Sequence, residues 1–119
     1  MIKKHTVSFI NAFKGLKWAL STQPNYRIHI FLSGLAIVGG MVFKISYDQY
    51  LLIAALIFIG LTVETINTAI ENTTDAIDTK WRDDIKLAKD VAAGAMLIYA
   101  IGAFAVACLI FIPKIINLF

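Results

Sequence analysis

One cysteine, two prolines and a charged fraction of 16% are all that this chain of 119 residues has of the features that staple, break or solubilise a small protein. Cys108 lies in an apolar run without an intrachain partner, which excludes disulfide stapling. His5 and His29 are isolated, so no histidine or cysteine cluster has zinc spacing, and His29 reads as a satisfied polar residue in or near the first apolar stretch. There is no Gly-x-x-x-x-Gly-Lys-Ser/Thr loop, no glycine-rich strand-turn-helix and no His-Arg-Asp loop. A net charge of +3 is too small to argue for nucleic acid. What remains is apolar: 59% hydrophobic residues and a mean hydropathy of +0.75 exceed what one core of this size can hide. A small soluble domain is excluded, and the surplus surface is expected to face lipid.

The uncharged runs set the expected spans. Val91–Ile112 has 22 residues and ends at Pro113-Lys114. Ile28–Phe43 has 16 and reaches spanning length only if Asn25 to Arg27 sit at the headgroups. Tyr50–Val63 has 14, whereas a span needs roughly 20 residues, so this helix must continue through Glu64 and Asn67 to about Ile70. A carboxylate is thereby drawn into the bilayer. Expected limits are about 26–43, 49–72 and 90–112 for three transmembrane helices, with a cytoplasmic loop at 73–89, all in one integral membrane domain.

Residues 1–23 are too basic in the middle for a signal peptide, because Lys14 and Lys17 interrupt the apolar core such a peptide needs. Phe9, Phe13, Leu16 and Leu20 fall on one helical side and Lys3, Lys4, Asn11, Lys14 and Lys17 mostly on the other, although Val7 and Ile10 break the pattern. An interfacial amphipathic helix is expected, the bland alternative being a basic tail attracted to anionic lipid. An inside N-terminus leaves nine basic residues on the cytoplasmic side (Lys3, Lys4, Lys14, Lys17, Arg27, Lys80, Arg82, Lys86, Lys89) against Lys44 and Lys114 outside, as the positive-inside rule requires. The fold class is therefore an all-α membrane protein with a surface helix and three spans.

On the second span Glu64, Asn67, Glu71, Asp75 and Asp78 share an arc of roughly 80°. Glu64 and Glu71 are about 10 Å apart along the axis, one in the acyl region and one near the inner phosphates. An ionisable group inside a membrane is a functional hypothesis, the rival being a carboxyl that merely bonds helices together. A base acting on a lipid hydroxyl must sit at that hydroxyl's depth, which suits Glu64. A nucleotide stays in water and takes Mg²⁺ on its phosphates, which suits Glu71, with Asn67 between to orient either partner. Lys89 and Asp90 could add a cation for phosphate and an acid for metal or ribose, or simply form the flank of a span.

The run Glu64-Thr-Ile-Asn67-Thr-Ala-Ile-Glu71-Asn-Thr-Thr-Asp75, then Ala88-Lys89-Asp90-Val-Ala-Ala-Gly94-Ala, resembles the prokaryotic diacylglycerol kinase family, which includes the undecaprenol kinases of Gram-positive bacteria. Phe13-Lys-Gly15-Leu and Asn25-Tyr26-Arg27-Ile-His29 extend the likeness over nearly the whole chain, the latter on the Gram-positive side. The resemblance implies a homotrimer with shared active sites in a prokaryotic plasma membrane, transferring the γ-phosphate of Mg-ATP to a lipid hydroxyl, with undecaprenol favoured over diacylglycerol. By resemblance, Glu64 is the general base, Asn67 positions base or phosphate, and Glu71 is a metal ligand. Lys89 and Asp90 contact nucleotide, Lys4 and Asn11 approach it from the surface helix, and Lys80, Trp81 and Arg82 are further nucleotide candidates. One departure stands out: the family usually has Glu as a metal ligand where this chain has Gln23, and the lost charge is expected to weaken Mg²⁺ binding. The rival from another class is a non-enzymatic oligomer, a holin-like pore or proton-coupled channel. Transport would continue the acids toward the outer half, and residues 50–63 carry none.

Overall fold

The computed structural model describes Ile2–Phe119, with the side chains of Ile2 and Lys4 outside the described set; the nucleotide role expected of Lys4 therefore falls outside the described residues. It is all-helical: α1 covers Ile2–Thr22, α2 Pro24–Val42, α3 Tyr47–Ile77 and α4 Asp83–Ile116. Two helices, α3 and α4, are long and apolar enough to cross a membrane. The molecule is an open slab of 55 × 43 × 22 Å in which α3 is central, packing against α4, α2 and, more lightly, α1.

Local chemistry explains the corners. Gln23 is extended, and Pro24 starts α2 at a position whose N–H would be unpaired in any case. At the other end of α2, Lys44 takes a left-handed backbone (φ 49°) and the Ile45 amide donates to the Gly40 carbonyl at 3.0 Å. A Cβ at Gly40 would collide with Ile45 and Tyr50, so this close return needs glycine. Ser46 and Gln49 form a capping box that launches α3, with Gln49 N–H donating to Ser46 Oγ at 3.3 Å and Ser46 N–H to Gln49 Oε1 at 2.9 Å.

Both long helices run beyond the limits set by their uncharged stretches. Residues 61–93 contain neither glycine nor proline, so nothing in the chain stops a helix at the bilayer edge. α3 persists to Ile77 and α4 begins at Asp83, whose carboxylate and that of Asp84 lie where a helix N-terminus favours negative charge. The connector is thus confined to residues 78–82, turned by Asp78 Oδ1 accepting from Lys80 N–H at 2.9 Å. Residues 73–77 and 83–89, expected in a loop, are helical.

Little apolar surface is buried. The buried apolar residues are Ala19, Tyr26, Ile45, Ile53, Ile85, Ala92 and Ile110, while Phe58, Ile98, Phe104 and Leu109 are each more than 70% exposed. Such faces are unstable in water and are the faces a bilayer or further subunits would cover.

Candidate active site

The inner half of α3 reverses the usual rule for burial. Its buried side chains are Glu64, Asn67, Thr68 and Thr74, and Glu64 is only 2% exposed. A buried carboxylate is costly unless something compensates it. The group that approaches it is His29 of α2, whose Nε2 stands 4.0 Å from Glu64 Oε2. One turn earlier on α2, the buried Tyr26 hydroxyl shares a hydrogen bond with Thr65 Oγ1, next to Glu64, and pins α2 against α3 at this depth.

One turn inward, Asn67 Nδ2 donates to Glu71 Oε1 at 3.1 Å. Asn67 Oδ1 and Thr68 Oγ1 are buried and have no partner among the described residues. An orphaned amide oxygen beside a carboxylate is the donor chemistry a hard cation takes, with phosphate oxygens and water completing its shell. These residues fit Mg²⁺ held jointly with a substrate, and not an all-protein cage: among the described residues no three His, Cys, Asp or Glu converge as a metal site. Gln23 is partly buried at the α1–α2 corner, where its Nε2 donates to Thr22 Oγ1 at 3.4 Å.

Two cavities flank the stripe. The apolar one, about 470 Å³, runs outward between α2, α3 and α4, from His29 and Tyr99 past Ala36, Ile57 and Ala103 to Phe111. The polar one, about 230 Å³, lies where α3 ends and α4 begins and is lined by Asp75, Asp78, Lys80, Trp81, Arg82, Lys86, Lys89 and Asp90 among others. It brings together five of the residues expected at a nucleotide. Lys89 pairs with Asp75 across the two helices, and Lys86 with Asp90 along α4. Arg82 grips Asp84 with two hydrogen bonds, at 2.7 and 3.1 Å, which hold the Asp84 carboxyl below the usual carboxylate range. Trp81 is 75% exposed, its indole N–H donating to Asp83 Oδ1 at 3.1 Å. Asn11 is exposed on α1.

The model of the family "Prokaryotic diacylglycerol kinase" matches residues 10–111. The chain belongs to the prokaryotic diacylglycerol kinase family. Among relatives, an undecaprenol kinase from Bacillus subtilis is 33% identical over 108 residues, covering 91% of this chain and 88% of the relative. A diacylglycerol kinase from Synechocystis sp. is 32% identical over 113 residues, covering 94% of this chain and 65% of the relative.

In this member of the family, the sequence pattern pointed to most of the stripe and missed what surrounds it. Lys86 lines the polar cavity beside Lys89 and Asp90, and Asp75 of the stripe lines it too. His29 has a polar partner, as expected of it, and that partner is Glu64. The available signal was the spacing of Tyr26 and His29, three residues apart and so on one face of α2.

Proposed function

We propose that this protein transfers the γ-phosphate of ATP, with Mg²⁺, to the hydroxyl of a membrane lipid, undecaprenol in preference to diacylglycerol. Its family makes it a lipid kinase of membrane lipid metabolism. The observation that carries the fuller reading is the burial of Glu64: a carboxylate only 2% exposed, facing His29 of the apolar cavity's wall.

In this reading Glu64 takes the proton of the lipid hydroxyl as its oxygen bonds to the γ-phosphorus, and the bond to the β–γ bridging oxygen breaks to release ADP. Asn67 aligns base or phosphate, its amide already oriented by Glu71. Glu71, with the Asn67 oxygen and more weakly Gln23, would hold Mg²⁺, which when bound neutralises phosphate charge. Lys89, Asp90, Lys80, Trp81 and Arg82 form the nucleotide side, with Asn11 of α1 as a further nucleotide candidate. Little covalent chemistry is required of the protein beyond alignment and charge, which such a set supplies.

The same reading has α2 as a third span, α1 on the inner surface, the N-terminus and site on the cytoplasmic side, and the protein as a homotrimer. The basic residues of α1 and of the 78–89 region support that orientation. The acids stop at Glu64 and do not extend through residues 50–63, which argues against a transport path. Purified protein in lipid, given labelled ATP and a panel of undecaprenol, diacylglycerol and ceramide, tests the reading. Label on undecaprenol is expected; label on none of the panel would refute the phosphate transfer.

A further inference from the structure

We propose that His29 is a positioning residue that holds the Glu64 carboxylate in the orientation its reaction needs; this deepens the reading of Glu64 as base and rests on it. Three observations converge. His29 Nε2 faces Glu64 Oε2 at 4.0 Å, and both side chains are largely buried (18% and 2% exposed). A buried carboxylate oxygen needs a hydrogen-bond donor to hold it in one place. An Nε2–H imidazole supplies that donor, and a small rotation of either side chain closes the gap to hydrogen-bond length.

The second observation is that the ring is held by groups that nothing else in the site requires. The Tyr99 ring packs against it with centroids 6.0 Å apart, and the Tyr99 hydroxyl donates to the Leu56 carbonyl at 2.7 Å. A Cβ at Gly60 would collide with that ring, so glycine there lets Tyr99 reach its place. Tyr26, bonded to Thr65, fixes the rotation of α2 relative to α3. The titratable groups facing His29 are Glu64 on α3 and Tyr99 on α4; Arg27 on its own helix is turned back to the Ser21 carbonyl at 3.4 Å.

Third, His29, Ser33 and Tyr99 are the polar side chains lining the apolar cavity. Ser33 donates to the His29 carbonyl at 2.7 Å and Tyr99 donates to Leu56. His29 is therefore the side chain on that wall with a polar atom still free to serve Glu64 and an arriving hydroxyl.

The test compares His29→Leu, His29→Gln, Glu64→Gln and the Leu–Gln double variant, each as the full chain in lipid. Lipid phosphorylation rate, KM for ATP and melting temperature are measured. His29→Leu is expected to lower kcat about 100-fold with KM for ATP unchanged, as for a base displaced from its reacting position. His29→Gln, which keeps an Nε2–H at similar reach, should recover most of the rate. The double variant should be no slower than Glu64→Gln alone, since the two residues act as a unit. Wild-type kcat in His29→Leu, no recovery in His29→Gln, or losses that multiply in the double variant would overturn the inference. So would failure of both His29 variants to assemble while Glu64→Gln assembles, because the contact would then be structural. If Glu64→Gln itself turns over normally, the base assignment falls instead, and His29's role with it.

Discussion

The outer and inner halves of α3 bury opposite kinds of residue on one continuous helix. Outward, Ile53 joins Ile45 and Ile110 in a small apolar cluster, with Phe43 and Phe111 packed edge to face beside it. Inward, Glu64, Asn67, Thr68 and Thr74 are buried in their place. The outer half is held by shape: glycine at Gly40 and Gly60 admits large neighbours, one of which, Tyr99, also donates to the Leu56 carbonyl. The inner half is held by hydrogen bonds that are incomplete, since Asn67 Oδ1 and Thr68 Oγ1 have none. A helix maintained for stability alone would not keep unsatisfied polar atoms in its buried face. Stability is concentrated outside and chemistry inside, and variants in the two halves should separate accordingly.

The largest expected effect is at Glu64. Glu64→Gln keeps volume and hydrogen bonding but not basicity, so it should cost about 1000-fold or more in lipid phosphorylation while assembly, seen by size-exclusion chromatography, is preserved. Next, Glu71→Gln should raise the Mg²⁺ needed for half-maximal rate about tenfold, equivalent to about 1.4 kcal/mol; a magnesium titration reads it, and an unchanged midpoint would remove Glu71 from the metal. The counterpart on the outer side is Ile45→Ala, which lies outside both cavities. It should cost about 2 kcal/mol, read as a lower melting temperature, with kcat of the folded protein unchanged. A loss of kcat there would erase the contrast between the halves. The smallest effect is expected at the α1–α2 corner, where Gln23→Glu should lower the Mg²⁺ midpoint a few fold; identical half-saturation would mean that Gln23 is not at the metal.

The helices and the stripe were legible because both are periodic. A run of 14 uncharged residues is too short to span, and that shortage alone drew Glu64 into the buried set, where it lies at 2% exposure. Helix ends were not legible, because charge marks where a bilayer stops and only glycine, proline or a cap marks where a helix stops; α3 and α4 therefore run on to Ile77 and back to Asp83. The pairs His29–Glu64 and Lys89–Asp75 join different helices, and no local pattern announces a partner on another element. The contrast between the cavities was equally hidden, since each gathers residues from separate segments and only packing sorts them into an apolar and a charged set.

The most direct measurement is transfer of label from γ-labelled ATP to undecaprenol by the wild-type protein and by Glu64→Gln in the same bilayer, with ATP affinity measured alongside. The expected result is labelled lipid from the wild type and none from the variant, at equal ATP affinity. Labelling at comparable rates by both proteins would contradict the assignment of Glu64 as the base.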